Sequence, residues 1–169
     1  PTDGMPSFLF YMGGNILWGY FSSCLSETSR TFISNRGLFG KVYFPRLVMP
    51  ISVSLSKLIN FLVQFVIFSL FLVYFALKPG SPVHPNFAMI AFTPLLLIQT
   101  AVLGMGFGII ISSLTTKYRD LNMLVGFGVH LWMYATPVAY SSSLLVDKHP
   151  ELIGLYMINP MTPVIEYFR

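Results

Sequence analysis

The sequence predicts an all-α integral membrane protein, a polytopic helical bundle of about four spans with short outward-facing re-entrant helices. Two observations carry that prediction. The 169 residues are 54% hydrophobic and 9% charged, with a mean hydropathy of +0.70. Soluble domains carry about 25% charged residues, so this chain cannot coat a globular surface with charge and its natural solvent is lipid. The apolar residues also fall into four long uncharged runs, at about 8–25, 58–77, 87–114 and 121–140.

The first run, Phe8 to Leu25, is about the minimum length that crosses hydrocarbon. Its Gly13, Gly14, Gly19, Ser22 and Ser23 are expected to let a second helix approach closely. A charged island follows, from Glu27 to Arg46, with Arg30, Arg36, Lys41 and Arg46 against one acid. Glu27 and Arg30 are three apart, a spacing that pairs them on one helix face. Asn35-Arg36-Gly37 reads as a helix stop.

The second run, Leu58 to Leu77, holds no charge and matches a hydrocarbon core of roughly 30 Å at 1.5 Å per residue. Lys57 then sits at the headgroups, where snorkelling explains it more simply than a ligand contact. Arg46 to Ser56 is expected to continue the helix beyond the hydrocarbon. Lys78 to Asn86 holds three prolines and a glycine and reads as a loop. The third run, Phe87 to Leu114, exceeds a straight span, and Pro94 is expected to kink it. Gly104 and Gly108 carry the four-residue spacing of a close helix contact, which outweighs any likeness to a dinucleotide fingerprint.

Lys117-Tyr118-Arg119-Asp120 forms a second charged connection before the fourth run. His130 lies within that run, and a hydrogen bond to a neighbouring helix is its simplest role. Beyond Tyr140 the apolar pieces are short and broken by Asp147, Pro150, Asn159 and Pro160, the pattern of re-entrant or interfacial helices at 141–169.

The basic residues orient the chain. The connections at 27–46 and 115–120 share one side, since two runs separate them, and hold six of the ten Lys and Arg. The positive-inside rule assigns that side to the cytoplasm. The formal charge of +4 therefore reports lipid orientation rather than a nucleic-acid partner. One cysteine excludes an internal disulfide and a Cys-rich metal site. No paired-histidine motif and no nucleophile beside a base is recognisable, so no catalytic or metal residue is assigned. RGLFGKV at 36–42 fails as a phosphate loop, because Asn35 and Val42 stand where Gly and Ser or Thr are required. Active transport by this chain would draw its energy from another polypeptide.

GKVYFPRLVMP at 40–50, TTKYRDLNM at 115–123, ATPVAYS at 135–141 and INPMTPVIEYFR at 158–169 resemble the permeases of ABC exporters that move polysaccharides. The O-antigen exporter permeases are the nearest likeness, with teichoic acid exporters beside them. The resemblance covers nearly the whole chain. It implies a single permease domain over 1–169, incomplete at both ends, with a span missing on each side. It implies a multi-pass protein of the bacterial cytoplasmic (inner) membrane, paired as a homodimer and moving a lipid-linked polysaccharide outward. An ABC ATPase subunit would bind ATP and Mg, leaving this chain no cofactor of its own. The coupling segment would lie at 27–41, with Glu27, Arg30, Asn35, Arg36 and Lys41, and the gate helices at 141–169. Reversing the charge of Glu27 or Arg36 is then expected to abolish export without affecting insertion. Lys117, Tyr118, Arg119 and Asp120 would form the second cytoplasmic loop. Tyr11, Trp18, Tyr20, Trp132 and Tyr134 are candidates to line the channel, although helix packing or interfacial anchoring would also account for each. A different class of reading is a membrane enzyme acting on lipid-linked sugars, with Asp147, Glu151 and Glu166 as carboxylates. A structural or regulatory membrane subunit is the third.

Overall fold

The computed structural model describes residues 6–35, 37, 45–78, 87–118, 120–138, 140, 154 and 158–168, with backbone alone at 87–91. Five helices organise them: α1 Ser7–Ser34, α2 Val48–Leu77, α3 Phe87–Lys117, α4 Leu121–Tyr134 and α5 Met161–Phe168. No strand occurs among the described residues.

α1 is the hub. It packs along α2 and α3, and α4 and α5 both touch it. The contacts fix the directions. Cys24 meets Gly104 and Thr28 meets Gly108, so α1 and α3 run parallel. The Tyr20 ring packs against Phe61 at 5.5 Å and Gly13 lies against Phe68, so α2 runs antiparallel to α1. Arg30 reaches Asn122 while Phe21 meets Trp132, so α4 runs antiparallel as well. The chain is a serpentine, and the 27–46 and 115–120 connections leave the same end of the bundle.

The bundle is inside out relative to a water-soluble one. α2 buries only Pro50, Ser54 and Phe61, while Leu55, Ile59, Leu62, Val66, Leu70 and Val73 are exposed. The interior holds Thr28, Ser29, Thr100, Ser112 and Thr115 beside the large apolar side chains. Small hydroxylated residues inside and branched aliphatics outside suit helices bathed in hydrocarbon, where close packing rather than apolar burial joins them. Among the described residues, Val48–Leu77 and Phe92–Lys117 are long and apolar enough to cross a membrane.

The helix bounds differ from expectation at the fourth run. As expected, α1 runs through Glu27 and Arg30 to Ser34, and Asn35 ends it. The Asn35 amide Nδ2 and backbone N–H both donate to the Thr31 carbonyl, at 2.9 and 3.1 Å. Charged residues continue a helix readily once they project past the hydrocarbon. The fourth run gives only the 14 residues of α4, about 21 Å at 1.5 Å per residue and shorter than a straight crossing needs. Pro137 lacks an N–H and disfavours helix at Thr136, whose Oγ1 donates to the Trp132 carbonyl at 2.9 Å. α2 starts at Val48, just after Pro45, and helix α3 is continuous through Pro94.

Gly104 and Gly108 form the seam between α1 and α3. A Cβ on Gly108 would stand 2.6 Å from Thr28 Cβ and 3.0 Å from the Leu25 carbonyl oxygen. On Gly104 it would stand 2.8 Å from Cys24 Cβ. Only glycine permits these backbones to come so near. Gly13 and Gly19 of α1 do less than predicted. Gly13 is at ordinary contact distance from Phe68, and a Cβ on Gly19 would meet nothing within 4 Å.

Candidate functional site

The charged end of α1 is tied to each of the three long helices around it. Lys57 Nζ of α2 donates to Glu27 Oε1 at 3.3 Å. Thr115 Oγ1 of α3 shares its proton between the Ser112 carbonyl of its own helix at 3.2 Å and the Ser29 carbonyl of α1 at 3.5 Å. Arg30 Nε donates to Asn122 Oδ1 of α4 at 3.1 Å. Glu27 and Arg30 thus do not pair with each other. Three residues are about 300° of helix, which leaves them 60° apart on α1. That divergence aims one at α2 and the other at α4. Lys57 accordingly turns to Glu27. Lys57 is 29% exposed and Glu27 53%, so their bond adds under about 1 kcal/mol to folding and serves to position the helix end.

The second charged connection lies beside this end. The Lys117 ammonium sits 5.3 Å from the Tyr118 ring centroid, and Tyr118 and Asp120 are exposed. Arg36, Lys41 and Arg119 lie outside the described residues.

At the opposite end two of the sequence motifs meet. Asn159 precedes α5, and its Oδ1 accepts from the Met161 backbone N–H at 3.1 Å. The same oxygen accepts from Trp132 Nε1 at 3.3 Å, while Nδ2 donates to Thr136 Oγ1 at 2.8 Å. Asn159 therefore caps α5 and clasps it to the end of α4. Most of the predicted gate segment at 141–169 lies outside the described residues, and α5 is its described helix.

The aromatic candidates divide by position. Trp18 is 4% exposed and sits 6.3 Å from Trp132, edge to face. Trp132 also packs against Phe21 at 5.4 Å and Phe107 at 5.1 Å. Trp18 belongs to the interior of this chain, and Trp132 is half-buried against it. The Tyr20 hydroxyl donates to the Ser54 carbonyl at 3.3 Å. Tyr11 and Tyr134 are exposed. His130 lies on the exposed face of α4 rather than against another helix. Val129 and Trp132 take the packed face, and His130 is about 100° and 200° away from them.

The sequence reading passed over Asn60 and Gln64. With Lys57 they mark one stripe of α2, at spacings of three and four residues. Together with Gly19, Tyr20 and Ser23 of α1 they line a cavity of about 320 Å³. The signal was available: two amide side chains at helical spacing inside an uncharged apolar run.

A profile of the ABC-2 type transporter family matches residues 1–169. The chain is 28% identical over 161 residues to an O-antigen export system permease protein RfbA of Klebsiella pneumoniae, covering 95% of this chain and 59% of that protein. It is 28% identical over 169 residues to a protein of the same name in Myxococcus xanthus, covering 99% of this chain and 62% of that one. The chain thus spans about three fifths of the length of these relatives. With the helical bundle, its lipid-suited exterior and a match along its full length, the chain belongs to the ABC-2 type transporter family.

Proposed function

We propose that this chain is the transmembrane part of an exporter subunit that moves a lipid-linked, O-antigen-like polysaccharide outward across the bacterial cytoplasmic membrane. The related permeases named for O-antigen export support the substrate class. In this reading a separate ABC ATPase binds ATP and Mg, and two permease copies enclose the path. The protein works by transmitting force, and the geometry suggests how.

The observation that carries the proposal is the three-way attachment of the charged end of α1 to α2, α3 and α4. A partner that pushes on 27–41 pushes on the hub. The glycine seam makes α1 and α3 move as one body, since backbones at that distance have no slack. From Arg30 to Trp18 is twelve residues, about 18 Å along α1. Displacement at the charged end therefore arrives at Trp132, whose indole is bonded to Asn159 at the base of α5. A push at one end becomes a shift of the short helix at the other.

The test is reconstitution of the full-length permease with its ATPase in liposomes, measuring ATP-dependent transfer of lipid-linked glycan. Arg30→Glu is expected to leave the complex assembled and to uncouple ATP hydrolysis from transfer. Normal transfer by that variant, or cross-linking that finds 27–41 remote from any ATPase, would overturn the proposal.

A further inference from the structure

We propose that the groove between α1 and α2 is a binding site for one neutral, hydroxylated sugar unit of the transported chain; this rests on the export reading above. Between Leu58 and Val73 the exposed side chains of α2 are apolar except Asn60 and Gln64, which continue the line of Lys57. With Lys57 at the headgroups, Gln64 lies seven residues, about 10 Å, further along α2 and so within the hydrocarbon-length run 58–77. Amide side chains at that depth face a water-filled cavity or a polar partner, because hydrocarbon leaves their donors and acceptors unmet. The cavity of about 320 Å³ is at the small end of ligand pockets, room for a single ring rather than a polymer.

The lining selects the chemistry. Asn60, Gln64 and Ser23 offer donors and acceptors together, which is what a hydroxyl-bearing ring requires. Tyr20 and Phe61, their rings 5.5 Å apart and tilted by 59°, provide an aromatic wall for the apolar face of a sugar. The one cation, Lys57, is already held by Glu27 at 3.3 Å, so the groove has no spare positive charge for a phosphate. Gly19 keeps the floor open, since no atom would lie within 4 Å of a Cβ there. Lys57 both lines the groove and bonds Glu27, so ligand occupancy and the position of the charged end of α1 share that contact.

The experiment uses the full-length permease with its ATPase in membranes of a host that makes its own glycan, carrying Cys24→Ser to remove the native thiol. Single Asn60→Cys, Gln64→Cys and Leu62→Cys variants are treated with a small water-soluble maleimide, with glycan synthesis switched on or off. The expected result is labelling at 60 and 64 that slows several-fold when glycan is made, and no labelling at 62. The double variant Asn60→Leu/Gln64→Leu should lower export roughly tenfold, the loss of two neutral hydrogen bonds, with assembly retained. Positions 60 and 64 as inert as 62 would overturn the site, as would labelling indifferent to glycan. So would disulfides between two copies through Asn60→Cys, which would make the stripe a helix–helix interface. Each of these outcomes, with the unsubstituted permease exporting normally, leaves the export reading intact; failure of the unsubstituted permease to export would sink that reading instead.

Discussion

Substituting alanine at Gly108 tests how the bundle is held together. The added Cβ would stand 2.6 Å from Thr28 Cβ and 2.8 Å from its Cγ2, with the Leu25 carbonyl oxygen at 3.0 Å. Ordinary contacts begin at 3.4 Å, so α1 and α3 must separate by up to 0.8 Å at this point. The obstacle is Cβ and backbone, which no rotamer change can move. Overpacking of this kind costs about 1–3 kcal/mol. For a chain of this size that lowers the thermal midpoint by roughly 2–12 °C. Gly106→Ala is the matched control, two residues away on the same helix, because its Cβ would meet nothing within 4 Å. There alanine adds helix propensity of up to about 1 kcal/mol and should hold or raise the midpoint. The assay is the loss of the monodisperse peak of the detergent-solubilised permease on heating. Removing the obstructing atoms with Thr28→Gly should restore part of what Gly108→Ala loses, although the Leu25 carbonyl remains. Equal midpoints for Gly108→Ala and Gly106→Ala would refute the seam.

Three further outcomes follow from the same contacts. Glu27→Lys and Lys57→Glu should each reduce export while shifting the thermal midpoint little, because an exposed pair contributes under about 1 kcal/mol, and the two together should recover export; a double variant as impaired as the singles would show that the pair has no positioning role. Asn159→Ala removes the cap of α5 and strands Trp132 Nε1, and is expected to destabilise by about 1–2 kcal/mol, read as a lower midpoint and a shifted tryptophan emission; unchanged emission would contradict the Trp132–Asn159 bond. Cys24 is 0% exposed against the Gly104 backbone, so maleimide should not modify it in the folded protein, and Gly108→Ala should make it reactive; rapid labelling of the unsubstituted chain would place α1 elsewhere.

What the sequence revealed was whatever depends on runs of one solvent preference. The apolar stretches became helices, Asn35 ended α1, and the Gly104–Gly108 spacing found its partner helix. Contacts between distant residues were hidden. Glu27 and Lys57 are 30 positions apart, and a search along one helix face finds Arg30 first. Thr136 and Asn159 belong to two recognisable motifs, yet only the folded chain shows that they hydrogen-bond to each other. The length of α4 was overestimated because Ala135 to Val138 is as apolar as the helix before it, and Pro137 acts through backbone geometry rather than hydropathy. Asn60 and Gln64 escaped notice for the opposite reason. An average over an apolar run conceals two polar residues that share a face.

These features follow from one inversion. In water the most apolar helix would be innermost, but here α2 is the more lipid-like and stays outside, while α1, with its serines, threonines and glycines, is buried. A lipid exterior removes most of the hydrophobic drive to join helices, so contact geometry must supply it. The α1–α3 interface supplies it through two glycines, and little can slide there. The α1–α2 interface leaves an open groove and is bridged at its charged end by one exposed ion pair. Rigidity and give are therefore placed on neighbouring faces of the same helix. A force applied to the end of α1 moves α3 with it and changes the gap to α2. That is why the groove beside Asn60 and Gln64, rather than the packed tryptophan cluster, is the place in this chain where ligand and motion can meet.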